Sequence, residues 1–472
     1  MKRTSLLTGI SVSLLVSTSL TYAEPIYHPS GPNLVYGHVS DGRQVMSDSN
    51  NPAAAATRYK PGEGGVDFGI FPSFGAGWEI GNADNLFTEV DNKSDEFSGL
   101  LSSYNSGTGA AAITADVNSL VSSSNDLLVL IESEGFAKVH YSFDGPILPV
   151  TVSNDILGGA LTFSFNHSEV YRIGVVQDPI KINTSTLQAD IQAVITGGPT
   201  TSTTNGDLTI TNNAGTVEFD AKNDTTAVLK GAKVSQIGFD YSRHVMAHEA
   251  GNLYAGARAN YYKVDLLKDY QRLDINTDSQ DLFDNFSDGA KVSSSGIGID
   301  LGVMWLTQDY HLGATLININ KPSFDYNKPA ITTNSTPTQG EYTPGTRVTN
   351  LLNQTETYTM DSQLKLEGSY YFLNKQLMLN AALDVNAIKD PVGDEYKWTV
   401  LSAAYSPNWW VIPSIRGGIR KNNGDNALTY YTFGFTLFKV NVDIAMTTDD
   451  VEDDGDSVPR GLMGNIGIDV RF

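Results

Sequence analysis

The residues best placed to do chemistry are His244, His248 and Glu249. Two imidazoles four positions apart beside a carboxylate could reach one metal ion if the segment were helical. The order is not the His-Glu-x-x-His of zinc proteases, and the segment lies in a predicted short turn. We therefore interpret these three as turn residues, with a metal site as the lesser alternative.

A second candidate is the acidic run at 449–456, Asp-Asp-Val-Glu-Asp-Asp-Gly-Asp. Its carboxylate density suits hard cations such as calcium. Because the spacing does not follow an EF-hand loop, we interpret the run as a soluble surface loop. Cation bridging to surface lipopolysaccharide is the alternative.

The sequence contains few features that indicate catalysis. The chain has no cysteine, which excludes thiol catalysis and disulfides, and none of its 7 histidines stands near a recognisable nucleophile motif. We predict that the protein is not an enzyme and holds no catalytic, cofactor-binding or metal residues. With 53 acidic against 31 basic residues, the net charge of −22 also argues against a nucleic-acid partner.

A third set consists of charged residues at the polar positions of alternating segments. If those segments are strands of a barrel, these side chains face the lumen, where they line a transport route or pair across strands. The set is Arg172, Arg258, Asp300, Lys365, Glu367, Asp384, Arg416, Arg420, Asp443 and Asp469.

The elements that would position these charges have a period of two. In 297–305, 377–385 and 431–437, apolar residues alternate with Gly, Asn, Asp or Thr. Such runs approach the nine to eleven residues that a tilted strand needs to cross a bilayer. No segment after the N-terminus offers about eighteen uninterrupted apolar residues, so a membrane-embedded form would be a barrel.

The N-terminal part of the chain lacks the regular alternation of the later segments. Residues 1–23 have the basic start, short apolar middle and small-residue exit of a secretory signal peptide. We expect a leader or plug segment at 24–65, an edge strand and helical insert at 66–134, and a barrel at 135–472. Within the insert, helical spacing predicts two or more short helices around 102–109, in the periplasm or against the barrel.

The last strand, 462–472, has one apolar and one polar face and ends on Phe472. Alternation alone fits either a sandwich edge or a barrel. Counting back from Phe472, however, longer and shorter links between the predicted strands alternate along most of the chain. One exception is the link 244–252, which is placed among the short links but is longer than two of the long links. This asymmetry is typical of outer-membrane barrels. We predict about fourteen antiparallel strands, two either way. Adding 66–80 would break the even number unless a partner such as 147–152 was missed.

Several motifs resemble known families. The final strand resembles the sorting signal of bacterial outer-membrane barrels. Asn51, Pro52 and Ala53 resemble the Asn-Pro-Ala motif of FadL-type barrels, and the segment 412–422 with Phe433-Gly434-Phe435 resembles their closing hairpins. Together with 84–101, these features are similar to the barrel-like family of conjugal transfer protein TraF. The thioredoxin-like TraF of conjugation pili is a different protein, since a chain without cysteine cannot perform dithiol chemistry.

The resemblance implies a plugged all-β barrel in the outer membrane of a Gram-negative bacterium, with Asn51, Pro52 and Ala53 in the plug. It implies passage of a hydrophobic compound or an envelope role linked to conjugation. The alternative is a structural or adhesive surface protein that acts through its long loops. The expected partners are outer-membrane lipid and lipopolysaccharide, the barrel-assembly machinery through the C-terminal strand, and a hydrophobic small molecule; no cofactor is expected.

Overall fold

A computed structural model gives the fold of the chain. The structure describes residues 29–42, 46, 50–59, 62, 64–71, 73–82, 104, 108–221, 224–272, 291–328, 355–407, 412–424, 427–453 and 456–468. The predicted signal peptide, the helical segment predicted near 84–101, and Asp469 lie outside these residues.

Helices are few in the described part of the chain. They are α1 Asn33–Tyr36, α2 Ala110–Glu134 and α3 Leu187–Thr196, with a 3₁₀ turn at Ala55–Thr57. The strands are β1 Gly65–Phe68, β2 Phe74–Ile80, β3 Ala137–Asp144, β4 Val150–Asn154, β5 Gly159–Val176, β6 Ser202–Asn205, β7 Leu208–Asn213, β8 Thr216–Ala221, β9 Thr226–His248, β10 Gly251–Arg272, β11 Val292–Leu306, β12 Tyr310–Ile317, β13 Ser323–Asp325, β14 Thr357–Thr359, β15 Gln363–Phe372, β16 Leu377–Asp384, β17 Ile388–Lys389, β18 Glu395–Tyr396, β19 Trp398–Tyr405, β20 Ser414–Asn422, β21 Thr429–Leu437, β22 Val440–Thr447, β23 Asp450–Asp453, β24 Asp456–Pro459 and β25 Gly461–Ile468.

Fourteen antiparallel strands form a closed barrel. Their order is β5-β3-β2-β25-β22-β21-β20-β19-β16-β15-β12-β11-β10-β9, and β5 pairs with β9 from Ala160 to Val176 to close the ring. The predicted all-β barrel of about fourteen strands is confirmed. No helix in the described ranges is long and apolar enough to cross a membrane.

Side-chain alternation explains the two faces of the wall. On β11, Ile297, Ile299 and Leu301 are exposed on the outside, while Asp300 and Met304 are buried inside. Successive side chains of a strand point to opposite faces, so one sequence pattern builds both surfaces.

The first two wall strands are interrupted at the same level. β1 pairs with β4 and β2 pairs with β3, so each strand has two parts, separated by 69–73 and by 145–149. The second gap contains Pro146 and Pro149, and proline cannot donate to a ladder. β4 therefore extends the wall beside Gly159–Phe163, the first residues of β5. β3 pairs with β5 from Asn166 onward.

Two differences from the sequence prediction cancel in the strand count. Residues 66–80 were expected to form an edge strand, but Phe74–Ile80 is a wall strand that joins β25 to β3. Conversely, the polar residues 166–168 were expected to link two strands, but they lie inside the continuous β5. Asn166 keeps its place there because its amide bonds the neighbouring strand and the leader.

The barrel has two unlike ends. At one, here called the short-turn end, the links are 155–158, 249–250, 307–309, 373–376, 406–413 and 438–439. The other, the long-loop end, carries 81–136, 177–225, 273–291, 318–362, 385–397, 423–428 and 448–460. The link expected at 244–252 is only 249–250, because β9 continues to His248.

A small subdomain lies at the long-loop end. It contains α2, α3 and the sheet β6-β7-β8, joined by a shared apolar core that includes Ile113, Val117, Ile191, Val194 and Ile210. Where two or more short helices were expected, the described residues form one helix of 25 residues. Its core positions recur at helical spacing, which gives it one buried face.

Candidate functional site: a lumen occupied by the leader

The barrel encloses a cavity of about 260 Å³ between the leader and the inner wall. Ser30, Asn33 and His38 line it from the leader. Asp144 and Arg258 are among the residues that line it from the wall. The cavity touches the inner side of the interrupted strands, since Pro149 and neighbouring β5 residues also contribute to its surface.

The Asn51-Pro52-Ala53 motif sits against a pair of wall glycines. Gly256 of β10 and Gly302 of β11 are direct cross-strand partners. A Cβ on Gly302 would lie 2.8 Å from Pro52 Cδ, and one on Gly256 would lie 2.7 Å from the Ala53 amide nitrogen. Only glycine lets the leader approach the wall this closely.

The same motif is bound by hydrogen bonds. Asn51 Nδ2 donates to Val303 O at 3.1 Å and to Glu367 Oε1 at 2.9 Å, while Asn51 Oδ1 accepts from the Ala53 amide at 2.9 Å. Ala53, Tyr254 and other apolar residues then close the short-turn end in one cluster. The motif therefore fits closely against the wall glycines and is hydrogen-bonded to the wall.

Glu367 is the anchor of the leader. Besides Asn51, it accepts hydrogen bonds from the backbone amide and, at 3.1 Å, the hydroxyl of Ser40. His311 Nε2 lies 3.6 Å from the carboxylate. A buried carboxylate needs several donors to offset its lost hydration, and the leader supplies most of them.

His38 is the second polar contact of the leader with this wall region. Its Nε2 lies 2.8 Å from Leu366 O and its Nδ1 lies 3.6 Å from Asp384. Burial, with the nearby Lys365 ammonium, lowers the pKa of His38 below its ordinary value. The ring is therefore mostly neutral at neutral pH.

Two arginine clusters lie on the inner wall. Arg258 pairs with Asp240 at 2.7 Å and lies 3.9 Å from Asp300, whose carboxylate accepts from Asn260 at 2.7 Å. Arg416 forms a bidentate pair with Asp443 at 2.5 and 2.6 Å. Such pairing satisfies charges that would otherwise be costly inside the barrel.

Arg420 connects the wall to helix α1. Its Nη1 donates to Leu34 O at 3.1 Å, and its guanidinium stacks over Trp398 at 4.1 Å. Leu34 packs beside Tyr430 and Met463, whereas Val35 packs on the other side among residues such as Met378. Helix α1 therefore packs against one side of the barrel, along the consecutive strands from β25 to β16.

At the long-loop end, the hairpin β17-β18 crosses the mouth of the barrel. It leaves the wall between β16 and β19, on the far side of the ring from β3 and β5. Lys138 of β3 nevertheless forms ion pairs with Asp390 and, at 3.0 Å, with Asp394. Arg172 of β5 adds a 2.9 Å pair to Asp394. Burial opposes ionisation, but Lys138 and Arg172 lower the pKa of Asp394 below its ordinary value.

A second hairpin, β13-β14, folds over the same mouth. Glu356 bridges Lys230 of β9 and Lys268 of β10, the latter at 2.8 Å. Phe324, Met360 and other side chains of this region join the buried apolar surface of the inner wall. Both hairpins are thus held down by ion pairs over the leader and cavity.

All nine described residues of the predicted lumen-lining set lie on the inner face. Lys365, Glu367 and Asp384 lie near the leader. The Arg258–Asp300 and Arg416–Asp443 clusters lie elsewhere on the inner wall. Arg172 lies at the long-loop mouth. Asp469 lies outside the described residues. Whether the set lines a transport route stays a prediction.

The sequence prediction missed several residues of the lumen. Lys138 and Asp240 fall at polar positions of alternating runs, so the same signal could have found them. Asp390 and Asp394 belong to a link without periodicity, and their partner Lys138 is 252 positions from Asp390. No local pattern encodes that contact.

The first two candidates of the sequence do not form metal centres in the described residues, where no group of three or more ligands assembles. His244 and His248 are exposed on strand β9 and bond Asn252 Oδ1 at 3.2 Å and the Ala250 amide at 3.1 Å. Of the acidic run, Asp450–Asp453 and Asp456 lie in the hairpin β23-β24 at the long-loop end.

Comparison with solved structures finds distant similarity to two toluene transporters. The Ralstonia pickettii toluene transporter TbuX is 11% identical, with 93% of this chain and 97% of that chain covered and a TM-score of 0.36. The P. putida toluene transporter TodX is 10% identical over 93% and 96%, with a TM-score of 0.33. No curated protein sequence matches the chain.

A family model gives the assignment. The model described as "F plasmid transfer operon, TraF, protein" matches residues 49–384, which begin just before the Asn51-Pro52-Ala53 motif and run through β16. This match covers more than half of the chain, and it agrees with the family resemblance noted from the motifs. The chain belongs to the TraF family that this model describes.

Proposed function

We propose that this protein resides in the outer membrane and passes a small, mainly hydrophobic compound through its lumen. The observation that carries the proposal is the cavity of about 260 Å³ left between the leader and the wall. A barrel built only as a scaffold has no need of such a space beside an ordered internal segment. A compound that crosses the lumen would bind in this cavity on its way.

The outer surface supports a membrane location. Large apolar side chains are exposed around the ring, including Phe239 on β9, Leu301 on β11, Leu401 on β19, Phe433 on β21 and Ile466 on β25. In water such a belt would drive aggregation, whereas lipid covers it without cost. Outer-membrane lipid, lipopolysaccharide and the barrel-assembly machinery are the partners that this location implies.

The interrupted strands suggest where the compound leaves the lumen. Pro149 and Phe165 line the cavity from inside, and Phe71 and Ile147 are exposed on the membrane side of the same gaps. An apolar compound would meet lipid here after the shortest path through the wall. Passage then requires a local rearrangement of 69–73 and 145–149 rather than expulsion of the leader.

Uptake in cells tests the proposal. A strain lacking the gene should take up labelled toluene-sized compounds or a labelled long-chain fatty acid more slowly than the same strain carrying the intact gene. Equal rates for every compound in both strains would contradict passage. Variants that leave the barrel folded but block the cavity, such as Ser164→Trp, should behave like the deletion.

A second function is favoured by the folded subdomain of α2, α3 and β6-β8. A loop region with its own apolar core presents a fixed surface, which is suited to contact with another cell or with an envelope component. We propose it as the basis of the conjugation-linked role that the family description suggests. The frequency of plasmid transfer should fall when Fab fragments bind this subdomain; an unchanged frequency would remove this candidate.

A further inference from the structure

We propose that the hairpin β17-β18 is the gate through which a compound enters the lumen from the long-loop end, while the neighbouring hairpin β13-β14 stays in place. The proposal rests on the proposed function, which it deepens by naming the element that moves. It follows from the different ways in which the two hairpins are attached to the barrel.

The hairpin β17-β18 forms part of the cover over the cavity. Ile388 and Lys389 of β17 line the cavity, and the hairpin leaves the wall between β16 and β19. Its tip, residues 390–394, reaches β3 and β5 on the far side of the ring. An outward swing about the base would therefore open the cavity toward the long-loop end.

The base of this hairpin is fixed to neighbouring strands by amide side chains. Asn386 Nδ2 donates to Ser362 O at 2.9 Å, and its Oδ1 accepts from the Leu364 amide at 3.0 Å. On the other side, Asn422 Nδ2 donates to Glu395 O at 3.1 Å. These contacts place the pivot of a swinging movement at the base.

The tip, in contrast, is held mainly by charged side chains. Lys138 pairs with Asp390 and, at 3.0 Å, with Asp394, and Arg172 pairs with Asp394 at 2.9 Å. Val392 adds an apolar contact with the inner wall. Charged groups regain their hydration when they separate, which offsets part of the lost attraction. The tip can therefore leave the wall while the base stays attached.

The hairpin β13-β14 is attached in a different way. Four large buried side chains of this region belong to the apolar cluster of the inner wall: Phe324, Tyr326, Tyr358 and Met360. Asn327 Oδ1 also accepts from the Lys268 amide at 2.6 Å, and its Nδ2 donates to Lys268 O at 2.8 Å. Because release would expose this apolar surface to water, β13-β14 should stay closed when β17-β18 opens.

Reversible cross-linking tests which hairpin moves. The chain has no cysteine, so Arg172→Cys with Asp394→Cys can be joined by a short bifunctional methanethiosulfonate and released by a reductant. In cells, this cross-link should slow the uptake of labelled toluene about tenfold, and the reductant should restore it. Lys268→Cys with Glu356→Cys is the matched control, because these residues pair at 2.8 Å and their cross-link fastens β13-β14. It should leave the uptake unchanged.

Hydrogen exchange of the full chain in detergent gives a readout that does not depend on transport. Arg172→Gln removes one ion pair from the tip. Exchange in residues 388–396 should then rise about tenfold, while exchange in Thr357–Thr359 should change less than about twofold.

An equal rise of exchange in both hairpins, or a control cross-link that slows uptake as much, would overturn the gate. So would a pair of cysteines at 172 and 394 that the reagent cannot bridge in the folded protein. The expected exchange without any uptake through the barrel would leave the gate standing and remove the proposed function. Uptake through the barrel that the cross-link at 172 and 394 does not slow would do the reverse.

Discussion

The two ends of the lumen are closed by different physical means. At the short-turn end, Asn51, Pro52 and Ala53 fit against Gly256 and Gly302 by shape and by hydrogen bonds, one of which goes to the buried Glu367 carboxylate. At the long-loop end, hairpins cross the mouth and are held by buried or half-buried ion pairs. Close packing is insensitive to pH and salt, whereas ion pairs respond to both. We therefore expect the closure of the long-loop end to depend more strongly on pH and salt than the closure of the short-turn end.

The largest effect is expected from Lys138→Met. The side chain of Lys138 is fully buried, and its loss leaves Asp390 and Asp394 without their shared cation. Removing one partner of a buried ion pair costs about 3–5 kcal/mol, so the midpoint of unfolding in denaturant should fall clearly. Lys321→Met is the matched control, because the Lys321 and Asp361 side chains are 56% and 48% exposed. Equal midpoints for the two variants would contradict the ionic closure of the long-loop end.

Gly302→Val should disturb the opposite end. The new side chain would occupy the space of Pro52 and force the leader from its seat, at a cost of about 1–3 kcal/mol. We expect faster protease cleavage near Asn51 while the hairpin β17-β18 stays protected. Gly417→Ala serves as the control, since a Cβ there would have its nearest neighbour at 3.4 Å. Cleavage near Asn51 at the wild-type rate would show that the glycine pair does not hold the motif.

Acidification should distinguish the ends without a mutation. Burial disfavours the Glu356 carboxylate, but Lys230 and Lys268 outweigh it and lower the pKa of Glu356 below its ordinary value. A lowered pKa gives stability that is present above the unfolded value of about 4.3 and is lost as pH falls through the folded value. Hydrogen exchange in Thr357–Thr359 should therefore rise below about pH 4 more than exchange at Ala53–Ala56. In Glu356→Gln this pH dependence should disappear; its persistence would assign the effect to another group.

The smallest effect is expected from salt on the exposed pair Lys321–Asp361. Surface ion pairs contribute about 0–1 kcal/mol and are screened by added salt. The Lys321→Met variant should lose less than about 0.5 kcal/mol at 1 M salt relative to the wild type at the same salt, as measured by denaturant unfolding. A larger loss would mean that this pair, and not the buried cluster around Lys138, secures the long-loop end.

The sequence predicts much of the wall because the wall follows a local rule. Alternation placed Arg258, Asp300, Glu367 and Asp443 on the polar face of strands, and the structure has them inside. The rule failed where polar residues continue a strand: 166–168 look like a turn, yet Asn166 Nδ2 donates to Asp144 and Ser30 inside β5. The strand count of fourteen was right because that error offset the omission of Phe74–Ile80.

The closures of the lumen were only partly predictable. A short motif, Asn51-Pro52-Ala53, pointed to a plug, but its seat depends on two glycines more than 200 positions away. The hairpin containing Asp390 and Asp394 has no periodic pattern, and its contact with Lys138 depends on where the closed ring brings β3. Long-range contacts of this kind follow from barrel closure and not from neighbouring residues.

The most direct test of the central claim is the permeability of liposomes containing the full chain or a chain without residues 29–59. With the leader in place, the barrel should exclude sucrose. Without the leader, sucrose should enter faster, because the short-turn end is then open and only the hairpins β13-β14 and β17-β18 cover the other mouth. Correct folding of both chains can be checked by heat-modifiable migration in detergent. Sucrose entering at the same rate through both folded barrels would contradict a lumen closed by the leader.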